Sequence, residues 1–230
     1  MIPTPCTDLL TQPQFSTVYP PSEDSFLFLD ALEKDFTFLT EHLKPAVVLE
    51  LGSGSGVIST FLSKLLRIPT MFIGVDISEK ACLATKSVFM FNNSLGLVDS
   101  VCGNLLSTFS DRAPGIADII LFNPPYVPTS VSEVKNAGCL ATAAWAGGIK
   151  GRQVIDEFIP QVSSRLSNRG VLYLLLLREN QPSEVHELVR KSSNGRLSKA
   201  VCLMNRTCRN ENLSVYRYYD PTVHGQTPEI

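Results

Sequence analysis

Apolar positions along this chain follow two rhythms. Short unbroken apolar runs recur, and amphipathic stretches of helical period lie between them. "AVVLEL" (46–51) has the continuous character of a strand buried on both faces of a sheet. "TMFIGVDI" (70–77), "LVDSVCGN" (97–104), "ADIILFNPP" (117–125) and "GVLYLLLL" (170–177) repeat that character. Helical spacing shows first in "PSEDSFLFLDALEKDF" (21–36). There Phe26, Leu29, Leu32 and Phe36 recur, Ser22 can cap, and Glu23 and Asp24 occupy the first turn. Further helices are expected over 57–67, 78–93 (capped by Ser78), 151–166 and 182–192. In 151–166, Val154, Ile155, Phe158 and Val162 share one side. "LSKAVCLMNRT" and "NLSVYRYYD" are two strands joined by the polar "CRNE", which reads as a hairpin.

Repeated strand–helix units imply a parallel sheet with helices on both faces. The expected fold is α/β: a doubly wound, mostly parallel seven-stranded sheet with an antiparallel C-terminal hairpin. The pattern contains no linker or repeat. One domain is expected over 19–220, with a flexible Pro/Thr-rich arm at 1–18 and a disordered tail at 221–230.

Composition narrows the classes. The chain has 230 residues, 44% hydrophobic and 18% charged, with a formal net charge of -2. That is globular, and it argues against a protein that lives on nucleic acid, where a basic surface supplies most of the non-specific affinity. The apolar run at 171–177 is far shorter than a membrane span, and no secretory signal is visible at the N-terminus. Cysteines at 6, 82, 102, 139, 202 and 208 form no C-x-x-C pair. With only His42, His186 and His224 beside them, no metal site is expected. Reduced core cysteines point to the cytoplasm, with the nucleus left open.

Candidate chemistry lies in three places. "LELGSGSGV" (49–57) sets Gly52, Gly54 and Gly56 at a strand-to-helix turn, where glycine permits close backbone approach to a ligand. A tight turn alone would account for them. Val57 stands where the dinucleotide fingerprint wants its third glycine, which strains an NAD reading. Asp76 ends the second strand, where a carboxylate can accept both hydroxyls of a ribose. Glu50 is a carboxylate closing an apolar strand, and it needs a partner, either a cationic ligand centre or the loop amides.

The third place is "LFNPPYVPT" (121–129). Asn123 and Pro124 each precede a proline, which pushes both toward extended backbone, and the prolines lack N–H donors. The strand therefore delivers a stiffly held amide and a run of carbonyls. A planar –NH2 group has two donors. The Asn123 side-chain carbonyl can accept one and the Pro124 backbone carbonyl the other, while Tyr126 stacks on the planar group and excludes water. The competing account is a rigid turn with Asn as turn former.

These motifs together resemble the class I S-adenosylmethionine-dependent methyltransferases, and within them the release-factor glutamine methyltransferases. The carriers are Asn123–Pro124–Pro125–Tyr126, "VYPPSEDSFLFLDAL" (18–32), "LELGSGSG", "AAWAGGIKGRQVID" (143–156) and "RENQP" (178–182). The eukaryotic branch, which acts on the class 1 termination factor, matches best over about 18–219. The resemblance implies a Rossmann-like fold and S-adenosylmethionine as cofactor. It puts Gly52 and Gly54 against the methionine moiety, Glu50 and Ser25 beside it, and Asp76 on the ribose. Asn104 and Leu105 flank the adenine; members commonly carry Asp at the position of Asn104. Asn123 and Pro124 hold the substrate amide, and Trp145 with Gly147 and Gly148 lies near the substrate mouth, although a Trp filling a core gap would account for Trp145 equally well. The expected reaction is N5-methylation of the glutamine in the Gly-Gly-Gln motif of the termination factor. The expected partner is a small zinc-binding activator, docked on the edge strand "LVDSVC", so the zinc belongs to the partner.

Three rival readings stay open. An adenine-N6 methyltransferase would use the same pocket for a flipped base, but it needs a basic surface. A protein-lysine methyltransferase needs a base to deprotonate its ammonium, and none is obvious. A non-catalytic binding protein on the same scaffold would show a damaged loop or N-P-P-Y, and both are intact.

Overall fold

The computed structural model describes residues 2–109, 114–130, 145–208 and 211–225. In chain order the principal elements are α1 (Glu23–Lys34), β1 (Val47–Leu51), α2 (Val57–Leu66), β2 (Met71–Asp76), α3 (Glu79–Phe91) and β3 (Leu97–Cys102). There follow β4 (Ala117–Phe122), α4 (Gln153–Arg165), β5 (Leu166–Leu177), α5 (Pro182–Ser192), β6 (Lys199–Cys208), β7 (Glu211–Tyr219) and a single turn, α6 (Pro221–His224). The strands form one sheet in the order β3-β2-β1-β4-β5-β7-β6. β1 to β5 run parallel, and β7 pairs antiparallel with both β5 and β6. The expected seven-stranded sheet and its C-terminal hairpin are both present.

The apolar runs are continuous because both faces of the sheet are covered. Along β5, Val171, Tyr173, Leu175 and Leu177 join the core under α1 and α2. The alternate residues Leu172, Leu174 and Leu176 join the core under α4 and α5. β4 divides in the same way, with Ile119 and Leu121 on one side and Ile120 and Phe122 on the other. This two-residue period is the pleat of a strand buried twice. Each fully buried side chain of this size contributes about 1.5–3 kcal/mol.

Three of the boundary shifts bear on the core and the site. Helix α1 ends at Lys34, so Phe36 lies beyond it and is exposed, while Leu27, Phe28 and Ala31 join Leu29 and Leu32 in the core. β5 begins at Leu166, four residues before the expected start, across a register shift opposite Ala117/Ile119. The polar "SNR" within it hid the strand; Ser167 Oγ donates to Asp118 there at 2.8 Å. β4 stops at Phe122, which leaves Asn123 just past the strand.

The stretch 2–18, expected from composition to be a loose arm, is held at several points. Ile2 N–H donates to Glu33 (2.7 Å). Cys6 N–H donates to Asn92 Oδ1 (2.9 Å), and Asn92 Nδ2 donates back to Cys6 O (2.8 Å). Phe15 and Val18 are buried against Ala84 of α3. At the other end, His224 of α6 packs edge-on against Phe38, and the remaining tail residues, 226–230, lie outside the described ones.

Among the described residues no helix is long and apolar enough to cross a membrane, and no group of three or more His, Cys, Asp or Glu is arranged to hold a metal.

Candidate active site

Strand order reverses between β1 and β4, the two strands that carry the glycine loop and the N-P-P-Y turn. Open α/β sheets bind ligands at the carboxyl ends of such a switch point. A pocket of about 1140 Å³ lies there. Of the residues singled out from the sequence, its lining includes Ser25, Glu50, Gly52, Gly54, Asp76, Asn104, Leu105, Asn123, Pro124, Tyr126 and Trp145.

The loop after β1 turns on three left-handed glycines, Gly52 (φ 57°), Gly54 (φ 49°) and Gly56 (φ 73°). Gly56 opens α2, and a Cβ there would sit 2.6 Å from Thr85 Cα of α3. The third glycine therefore serves helix packing. A Cβ on Gly52 would touch the Phe122 ring and the Asn123 carbonyl oxygen, so the loop lies directly against the end of β4.

Asp76 holds this loop in place. Its Oδ2 accepts from Gly54 N–H (3.0 Å) and its Oδ1 from Ser78 N–H (2.9 Å). Burial pushes its carboxyl up, and those backbone amides pull it back. Glu50 is 3% exposed. Its partner is the Ser59 N–H of α2 (3.0 Å), not an amide of the glycine loop. Burial raises Glu50 to about 7, against the lowering effect of the Ser59 hydrogen bonds. Ser25 accepts from Ser22 N–H (3.4 Å) within the capping box of α1. Asn104 is exposed and reaches Glu157 of α4 (3.3 Å). Leu105 beside it is buried with φ 48°, a strained conformation for a non-glycine residue at a pocket wall.

Asn123 makes a contact that periodicity could not show. Its Nδ2 donates to Asp24 Oδ2 in the first turn of α1 at 2.8 Å. Asn123 Oδ1 and Asp24 Oδ1 are both shut off from solvent and have no donor. Buried acceptors of this kind are costly unless a ligand supplies the hydrogen.

The charge in the pocket is one-sided. Glu23, Asp24, Glu50, Asp76 and Glu211 line it, and no Lys, Arg or His does so among the described residues. These side-chain charges disfavour a pyrophosphate or a nucleic-acid backbone and favour a ligand carrying positive charge.

No family model matches the chain. Individual proteins do. The chain is 36% identical over 217 residues to Methyltransferase HEMK2 of Mus musculus, covering 94% of this chain and 96% of that one. It is 34% identical over 232 residues to the eRF1 methyltransferase catalytic subunit mtq2 of Schizosaccharomyces pombe, covering 95% and 96%. Among solved structures, the E. cuniculi Mtq2-Trm112 complex, described as responsible for methylation of the eRF1 termination factor, aligns with a TM-score of 0.62. It is 26% identical and covers 89% of this chain and 99% of that one.

This chain belongs to the HEMK2/Mtq2 methyltransferase family.

In this family member the N-P-P-Y turn is fastened from behind by a residue with no role assigned from the sequence. Asn180 is fully buried just past β5. Its Nδ2 donates to the carbonyls of Tyr126 (2.9 Å), Lys150 (2.9 Å) and Gly151 (3.2 Å), and its Oδ1 accepts from Leu177 N–H (2.7 Å). Gly151 is required at this junction, because a Cβ there would lie 1.8 Å from Tyr126 O. Asn180 and Gly151 belong to "RENQP" and "AAWAGGIKG", segments far apart in the sequence whose spacing shows no contact between them. Residues 127–130 run alongside 145–148, with Val127 N–H to Trp145 O (3.1 Å) and Gly147 N–H to Val127 O (2.9 Å). That pairing leaves Trp145 39% exposed at the pocket wall rather than filling the core. The intervening residues, 131–144, lie outside the described ones.

Proposed function

We propose that this chain transfers the methyl group of S-adenosylmethionine to the side-chain nitrogen of the glutamine in the Gly-Gly-Gln motif of the class 1 translation termination factor. The observation that carries this reading is Asn123 Oδ1, a buried acceptor without a donor beside the glycine loop of a HEMK2/Mtq2-family chain. A glutamine –NH2 supplies the missing hydrogen.

S-adenosylmethionine brings an electrophilic methyl group on a positively charged sulfur. The acidic lining suits that charge. Gly52, Gly54, Ser25 and Glu50 would hold the methionine end, Asp76 the ribose, and Asn104 with Leu105 the adenine. The Asp76 oxygens already accept from two amides, and each keeps a lone pair for a hydroxyl.

An amide nitrogen is a poor nucleophile because its lone pair is delocalised. Asn123 Oδ1 and the Pro124 carbonyl would each accept one of its hydrogens. That orients the nitrogen toward the methyl group and places two negative dipole ends where positive charge develops. Tyr126, half-buried against the core, would close one side of the planar group. The N-alkylated amide is a strong acid and loses its proton to water, so no histidine or lysine base is needed.

The activator would dock on β3. This strand is a sheet edge, and Leu97 (71% exposed), Met90, Phe91 and Leu95 form an apolar surface around it. An open edge accepts a further strand from another chain. The E. cuniculi relative was solved as a complex with Trm112, a pairing that supports a small partner protein here.

The test is methyl transfer from labelled cofactor to purified termination factor, with the activator co-expressed and the modified residue mapped by mass spectrometry. Methyl on the Gly-Gly-Gln glutamine is expected. Asn123→Ala should lower turnover by about 1000-fold or more and leave cofactor affinity within a few-fold of the parent. Transfer only to DNA, RNA or a lysine would overturn the substrate and keep the fold.

A further inference from the structure

We propose that Asp24 is a positioning residue for the methyl-accepting amide: it sets which edge of the Asn123 side chain faces the substrate. The inference rests on the functional reading above and adds a residue to it.

An asparagine amide is nearly symmetric in shape, and its two orientations differ only in exchanging oxygen for nitrogen. Here the difference decides function. With Oδ1 toward the substrate, an acceptor meets the –NH2. With Nδ2 toward it, donor meets donor and the nitrogen is repelled. Packing cannot discriminate between the two orientations; hydrogen bonding can.

Asp24 supplies the discrimination. A carboxylate only accepts hydrogen bonds, so the group 2.8 Å from its Oδ2 is the Asn123 –NH2. Turning the amide over would set Asn123 Oδ1 against the carboxylate, acceptor against acceptor, in a place closed to water. The hydrogen bond is also charge-assisted. A negative partner on the –NH2 polarises the amide and makes Oδ1 a stronger acceptor. The carboxylate adds a negative field near the nitrogen that gains positive charge during transfer.

The fold holds Asp24 at this task. It is the second residue of α1, behind the Ser22–Ser25 capping box, where the helix dipole favours negative charge. At its far end α1 is held to the sheet through Asp35, which binds Arg217 of β7 and Tyr173 of β5. Asp24 is thus delivered to Asn123 across 99 positions of sequence by a helix fixed at both ends.

The experiment compares Asp24→Ala and Asp24→Asn with the parent, all as the activator complex. Asp24→Ala should lower kcat about 100-fold, with KM and cofactor Kd within about threefold of the parent. Asp24→Asn keeps an acceptor for the Asn123 –NH2 and loses the charge, so its loss should be about 10-fold. A second readout needs no substrate. In the 15N-labelled parent the Asn123 Nδ2 proton that faces Asp24 should lie downfield of the usual primary-amide range and exchange slowly; in Asp24→Ala it should return to that range and exchange faster. An Asp24→Ala turnover within threefold of the parent would overturn the inference. So would unchanged Asn123 side-chain signals, or a loss of activity matched by an equal loss of cofactor affinity, which marks a structural role. If the parent itself does not methylate the Gly-Gly-Gln glutamine, the functional reading fails, and the amide signals still decide whether Asp24 holds Asn123.

Discussion

Helix α1 carries a carboxylate at each end, and the two are treated in opposite ways. Asp35, just past its last turn, is buried and fully answered: Arg217 donates to Oδ1 and Tyr173 OH to Oδ2 (2.6 Å). The Arg217 guanidinium lies 3.8 Å over the Phe38 ring. Burial pushes the Asp35 carboxyl up, and Arg217 and Tyr173 pull it back. Asp24, some 16 Å away along the axis at 1.5 Å per residue, uses one oxygen on Asn123 and leaves the other without a donor. Both Asp35 oxygens are spent on fixing the packing of α1, whereas the unanswered oxygen of Asp24 lies at the pocket, where a ligand can complete it.

The largest effect that separates the two sites is on stability. Asp35→Ala removes the carboxylate that faces a buried guanidinium and should cost about 3–5 kcal/mol, which lowers Tm by roughly 10 °C. Asp24→Ala should stay within about 1 kcal/mol of the parent, because it removes one orphaned oxygen while freeing the Asn123 –NH2. Equal losses in thermal unfolding would erase the contrast.

Glu50 differs from Asp35 in its response to pH. It is as buried as Asp35 but faces no cation, and it is raised to about 7 from an ordinary 4.5. Below about pH 4.5 folded and unfolded chains are both protonated there. As pH rises toward 7 the unfolded chain ionises and the folded one resists, so this group's stability contribution is lost across that window. Glu50→Gln should therefore gain on the parent between pH 5 and 7, by at most about 3 kcal/mol, and the gain should level off above 7. Chemical denaturation at several pH values measures it; a constant offset would remove Glu50 as the cause.

The smallest effect is on the exposed face of the same helix. Asp30 pairs with Arg206 of β6 at 2.6 Å, with side chains 47% and 35% exposed. Solvent screens such a pair, so Asp30→Ala should cost about 0.5 kcal/mol, less still in high salt. A cost near that of Asp35→Ala would mean that α1 is held mainly from outside.

Much of this molecule was legible before folding. The two-period alternation set out the sheet and its helices, and the N-P-P-Y turn announced itself because prolines restrict backbone locally. The strand start at Leu166 was not legible, since "SNR" enters the sheet through a register shift and a bond to Asp118 rather than through apolar alternation. Nor was the hold on residues 2–18, which depends on single contacts to Glu33, Asn92 and Ala84 from distant helices. Glu50 and Asp76 line the pocket, and their present partners are backbone amides, of Ser59 in α2 and of Gly54 and Ser78, which only the folded chain brings to them.

Spacing along the chain by itself determined the layered architecture, the glycine turn after β1 and a stiff amide after β4, because each depends on the steric preferences of a few adjacent residues. Only folding set the –NH2 of that amide against an aspartate 99 residues away. It alone fastened the turn, through Asn180 acting 54 residues from Tyr126, and it alone paired Asp35 with Arg217 at a separation of 182. Hydrogen bonds between distant residues leave no period in a sequence; they exist only once packing has brought donor to acceptor.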